Sequence, residues 1–149
     1  MRTILLATDG SSESGEATAM AVDLANRLEA ALVIASVERS RIPVYGISAG
    51  SDLAARIQDA ERSFVDATLQ QAGAVALRGG ARCELVHLRG DPAEEICAEA
   101  RRRGARLVVV GAHTRSAGRP LRGGVSTRVV HDAPCPVLVV RAGSRRQDA

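Results

Sequence analysis

The sequence predicts an α/β protein: one doubly wound, five-stranded parallel sheet with helices on both faces. Three observations carry that expectation. Apolar runs alternate with segments whose apolar residues recur every three or four positions. The runs are continuous rather than alternating, as in strands covered on both faces. Strands separated by helices imply right-handed crossovers and therefore a parallel sheet. The 149 residues suffice for a single core, and no repeat or low-complexity linker marks a second domain. The expected division is a domain over residues 1–141 and a short polar tail over 142–149.

The elements follow in order. "TILLAT" reads as the first strand, and Ala17, Met20, Ala21, Leu24, Ala25 and Leu28 form the stripe of the first helix, capped by Ser11 or Ser12. "ALVIASV" is the second strand, and the Pro- and Gly-bearing "ERSRIPVYGISAGS" is a loop. Leu53, Ile57, Ala60, Phe64 and Ala67 give the second helix its apolar spacing, and it ends near Gly79-Gly80. "ARCELVHL" is the third strand. In "GDPAEEICAEARRRG" Asp91 is the N-cap, Pro92 the first helical residue, Glu94 stands at capping-box spacing, and Gly104 is the stop. Ala93, Ile96, Cys97 and Ala100 form the buried face of that helix. "RLVVVG" is the fourth strand, a helix covers about Val125 to Asp132, and "PVLVVR" is the fifth strand.

Composition removes several functions. One Phe, one Tyr and no Trp leave nothing for base stacking, which argues against single-stranded nucleic acid as a partner. All 20 basic side chains are arginine, so neither a Walker lysine nor a Schiff-base lysine exists. The net charge of +3 is mild, and Arg101–Arg103 and Arg145-Arg146 read as solvated charge at a helix end and in a tail. Cys83, Cys97 and Cys135 lack metal-site spacing and read as reduced, buried thiols. Asp91 and Glu94 look like paired carboxylates but are better explained as a helix cap. His87 and His131 have no evident partner and read as surface or satisfied residues, and His113 reads as a structural hydrogen bonder. The first apolar run is too short for a signal segment and no stretch reaches a membrane span, so the expected place is the cytoplasm, with no membrane partner.

In a doubly wound sheet, ligands bind beyond the carboxyl ends of the strands where strand order reverses. Thr8, Asp9 and Gly10 follow strand one, and Gly111 opens the segment after strand four. From Val108 to Val130 the chain runs strand, glycine-bearing loop, helix start, an order that builds phosphate cradles. The pattern alone does not make strands one and four neighbours.

The stretches "ILLATDGS", "GDPAEEI", "LVVVGAH" and "GGVSTRVVHDAPCPVLVVR" resemble the universal stress protein family over nearly the whole chain. The resemblance implies strand order 3-2-1-4-5 and a homodimer through the last strand. ATP-binding members of that family share a loop reading G-2x-G-9x-G-S/T, from which this chain departs. Gly111 matches the first glycine and Thr114 stands at the second. Aligning the tail makes Gly123 the third glycine and puts Gly124 at the hydroxyl position. An ungapped reading instead makes Gly124 the glycine and Val125 the hydroxyl position. A β-branched Thr114 avoids positive φ and crowds the approach of phosphate. A lost charge-assisted hydrogen bond costs about 1.5–3 kcal/mol. Ser126 and the loop arginines Arg115, Arg119 and Arg122 are the compensating donors. Ala7 and Asp9 correspond to the strand-one end beside the nucleoside, and Val37 to the strand-two end whose backbone reads adenine.

Asp9 has two readings of equal weight: a ligand to ribose or, through water, to a metal near the phosphates, and an Asx turn supporting "DGS". The expected function is a non-enzymatic stress-response regulator that binds adenine nucleotide, ATP with or without Mg2+, and acts through dimerisation and a protein partner. The alternative is a dimeric interaction module that has lost the nucleotide. Nothing supplies the paired base and nucleophile of an enzyme.

Overall fold

The computed structural model describes residues 1–39, 47–48, 50–112 and 124–143. Nine elements follow one another: β1 (Thr3–Ala7), α1 (Ser12–Leu28), β2 (Ala31–Glu38), α2 (Asp52–Arg78), β3 (Cys83–Arg89), α3 (Pro92–Arg103), β4 (Leu107–Gly111), α4 (Val125–Asp132) and β5 (Val137–Val140). The five strands pair in parallel in the order β3-β2-β1-β4-β5. That is the predicted fold. Its reversal point lies at β1, which pairs with β2 on one side and with β4 on the other, Ala7 meeting both Ala35 and Val110.

Alternate strand residues feed two cores. Ile4, Leu6, Leu32, Ile34 and Val109 pack against Ala17, Ala21 and Ala25 of α1 and Val65, Leu69, Ala72 and Ala76 of α2. Leu5, Val33, Ala35, Val108 and Val110 pack against Ala93, Ile96, Cys97 and Ala100 of α3 and Val129 of α4. Branched aliphatics and alanine make up both layers, as the near-absence of aromatics in the sequence requires.

Local signals set the helix ends. The Ser11 side chain accepts from the Ser14 amide at 3.2 Å, and Ser51 accepts from Ala54 at 3.2 Å. Asp91 accepts from the Glu94 amide at 3.1 Å, Pro92 opens α3, and Gly104 closes it at φ 58°.

One helix face differs from expectation. The buried side of α2 is Ala54, Val65, Thr68, Leu69, Ala72 and Ala76, one position away from the predicted stripe, and Leu53 and Phe64 are exposed. A Cβ on Gly73 would stand 3.2 Å from Leu85 of β3, so α2 lies close to the sheet at that point, while Val65 and Leu69 reach into the core beside it. Met20 and Leu28 of α1 are likewise half-exposed at the edge of their stripe.

Candidate functional site

At the carboxyl edge of the sheet, beside the reversal point, lies an open cleft. Ala7, Thr8 and Asp9 supply its β1 side, Ala35, Ser36, Val37 and Arg39 its β2 side, and Val110 and Gly111 its β4 side. Ser14 of α1, Pro92 and Ile96 of α3, and Val125 and Ser126 of α4 complete it. Six predicted site residues therefore share one wall-to-wall space: Ala7, Asp9, Val37, Gly111, Val125 and Ser126. Gly124 immediately precedes α4, as its N-cap. Thr114 and Gly123 lie outside the described residues, as do His113 and the three loop arginines.

Residues near the starts of α1, α3 and α4 line the cleft. The starts of α1 and α3 are capped by Ser11 and Asp91, while α4 has no side-chain cap, so its first amides and partial positive charge favour an anion there. Arg39 adds a full positive charge to the lining and Asp9 a negative one.

The residues at the turn after β1 are held by short-range bonds and by α2. Asp9 Oδ1 accepts from the Ser11 amide at 3.0 Å, so the Asx turn is present and coexists with a place in the cleft. Gly10 has φ 80°, and a Cβ there would stand 3.0 Å from Thr68 Oγ1 and 3.3 Å from the Phe64 ring. A side chain at this position fails on both backbone and space.

The two glycines that flank the β4–α4 connection differ. A Cβ on Gly111 would stand 2.8 Å from the carbonyl carbon of Glu13 and 2.9 Å from the Ser14 amide nitrogen. Close packing of β4 on α1 thus requires this glycine whether or not phosphate binds. Gly124 has φ −63° and ψ 155°, extended backbone open to any residue, and a Cβ there meets nothing within 4 Å. The backbone at Gly124 therefore does not demand glycine. As N-cap it gives α4 no side-chain hydrogen bond.

Sequence reading missed Thr8, Ser14, Ala35, Ser36, Arg39, Pro92, Ile96 and Val110 as lining residues. Adjacency to Val37 was the available signal for Ser36 and Arg39, and adjacency to Gly111 for Val110. His87, with no partner evident in the sequence, is satisfied by two carboxylates. Its Nε2 lies 2.7 Å from Glu38 Oε2 and its Nδ1 lies 2.8 Å from Asp66 Oδ1. Glu38 is almost fully buried and Arg62 stands 3.7 Å from it, while its Oε1 has no hydrogen-bond partner among the described residues. This cluster ties β2, β3 and α2 together next to Val37 and Arg39.

Asp91 and Glu94 are confirmed as helix-start residues, and Asp91 also pairs with Arg128 of α4. That arginine's hydrogen bond, with the Glu94 amide, holds the Asp91 carboxyl below the usual range. Burial pushes the thiols of Cys83, Cys97 and Cys135 up, which suits inert cysteines. Among the described residues no three His, Cys, Asp or Glu side chains converge on a metal position, and no helix is long and apolar enough to cross a membrane.

The profile of the Universal stress protein family matches residues 1–141. The chain belongs to the universal stress protein family. It is 31% identical to Universal stress protein YxiE of Bacillus subtilis, over 93% of this chain and 97% of that protein. Among solved structures, the universal stress protein UspA from Lactobacillus plantarum superposes with a TM-score of 0.81 at 26% identity, covering 94% and 97% of the two chains. A universal stress protein in complex with cAMP superposes with a TM-score of 0.72 at 26% identity, covering 93% and 96%.

Proposed function

We propose that this universal stress protein binds an adenine nucleotide in the cleft at the carboxyl ends of β1, β2 and β4, and that it is a regulator rather than an enzyme. The observation that carries the reading is the convergence of Ala7, Asp9, Val37, Gly111, Val125 and Ser126, from four separate segments, on one cleft. The cAMP complex of a relative supports the ligand class. In this reading adenine lies against the end of β2 at Val37 and the ribose beside Asp9. The phosphates point toward the amino end of α4, where Ser126 and the backbone amides donate to them. Magnesium, where ATP is the ligand, comes with the phosphates and is met by Asp9 through water.

Nucleotide occupancy would then bias the surface offered to a protein partner in the cytoplasm. A homodimer through β5 fits the same reading. β5 is an edge strand, paired only with β4 on its inner side, and Val139 is exposed. A second reading, a nucleotide-independent dimeric module, draws on two observations: Gly124 offers no hydroxyl, and Gly111 has a packing role of its own. Isothermal titration with ATP and magnesium, then with AMP, separates them. Micromolar binding supports the nucleotide site. No heat, with an unchanged melting temperature, supports the module.

A further inference from the structure

One wall of the cleft consists of the first turns of α3 and α4, through Pro92, Ile96, Val125 and Ser126. The two helices run side by side in the same direction, because their starts meet and their ends meet. At the starts, Arg128 Nη1 donates to Asp91 Oδ2 at 3.0 Å and its Nη2 lies 3.0 Å from Asp91 Oδ1. At the ends, Arg101 Nη2 donates to the Asp132 carbonyl at 2.8 Å.

α4 needs such support. It has eight residues, no side-chain cap, and one fully buried side chain, Val129. Its amino turn presents Ser126 to the cleft. Arg128 sits only two residues beyond Ser126, and a guanidinium gripping both oxygens of a carboxylate fixes orientation as well as distance. Asp91 is itself held, since it caps α3. The chain of contacts therefore runs from α3 through Asp91 and Arg128 to the turn that carries Ser126.

We propose that Arg128 is a positioning residue of the nucleotide site: its two-point grip on Asp91 sets α4 so that Ser126 and the first amides of α4 meet the phosphates. The proposal rests on the adenine-nucleotide reading. Arg128 acts through α4, so it governs affinity for the phosphate end and leaves the nucleoside end, built by β1 and β2, unaffected.

The test measures dissociation constants for adenosine, AMP and ATP with wild-type protein, Arg128→Ala, Arg128→Lys and Asp91→Asn, together with amide hydrogen exchange over 125–132. Asn keeps the α3 cap while removing the charge. Arg128→Ala is expected to weaken AMP and ATP about tenfold, the effect of roughly 1.4 kcal/mol, with adenosine changed less than twofold and faster exchange in α4. Lysine, a point charge without the fork, restores part of the loss. Asp91→Asn reproduces Arg128→Ala, and the double variant is no worse than either. AMP and ATP bound as tightly by Arg128→Ala as by wild type would overturn the proposal. Equal loss of all three ligands would do the same, because that pattern is general loosening. Failure of the wild type to bind any of them overturns the nucleotide reading itself, and this proposal with it.

Discussion

Gly111 and Glu13 approach so closely that a Cβ on Gly111 would stand 2.8 Å from the Glu13 carbonyl carbon. Both atoms belong to backbone held in regular structure, β4 and α1, so neither yields as a flexible side chain would. Gly111→Ala is expected to cost about 1–3 kcal/mol, the usual range for overpacking, measured as a lower urea midpoint with an unchanged slope. Gly111→Val should cost more. A midpoint equal to wild type would show that α1 and β4 part easily, and the packing account of Gly111 would fail. Loss of nucleotide affinity in these variants does not report on phosphate contact alone.

Gly124 supports the opposite experiment. Its backbone is extended and its missing side chain faces open space, so Gly124→Ser introduces a hydroxyl without strain. The serine caps α4, where glycine is only a few tenths of a kcal/mol worse than serine. The melting temperature should therefore rise slightly or hold. If the hydroxyl also reaches phosphate, the gain is about 1.5–3 kcal/mol, or roughly tenfold to a hundredfold in ATP affinity. Titration of the variant checks this. A stabilised helix with unchanged ATP affinity would place the phosphates elsewhere.

The cluster at Glu38 predicts a coupled pair. Glu38 is buried, and His87 supplies the one side-chain hydrogen bond to its carboxyl among the described residues. His87→Ala leaves a buried carboxylate with Arg62 at 3.7 Å, at a cost of about 1–3 kcal/mol for the acceptor left unpaired. In a Glu38→Gln background the same change should cost clearly less, because the charge that needed the donor is gone. Four urea curves complete the cycle. Equal costs in both backgrounds would mean that His87 contributes by packing alone.

What the sequence discloses follows from how far apart the interacting residues lie. α3 was legible to its ends because its cap, proline and stop glycine act over three or four positions. The strand order was legible through family resemblance, since alternating elements alone left β1 and β4 unassigned. The face of α2 differs by one position, because the helix carries apolar residues at both registers and Val65 and Leu69, not Leu53 and Phe64, meet the sheet. Glu38, Asp66 and His87 meet across 49 and 21 residues, and no local pattern announces such a contact. The cleft was half legible: strand ends and glycines pointed to it, while Ile96 of α3 had been read only as core.

Three carboxylates make stability depend on acid. Burial raises the Glu99 carboxyl, but hydrogen bonds from Arg102 and Arg103 outweigh it and the net shift is downward. Glu84 is lowered chiefly by its hydrogen bond to Arg103, and Asp91 chiefly by Arg128. Each folded pKa lies below its unfolded value, so the unfolded chain takes up protons first as pH falls. Their stabilisation is complete above the ordinary carboxylate range, about pH 4, and is lost as pH drops through the folded values. Arg103 holds both Glu84 and Glu99. Arg103→Ala should therefore lower the urea midpoint at pH 7 and flatten its fall between about pH 4 and pH 2. Parallel pH profiles for variant and wild type would mean that the Arg103 pairs do not set the acid limb.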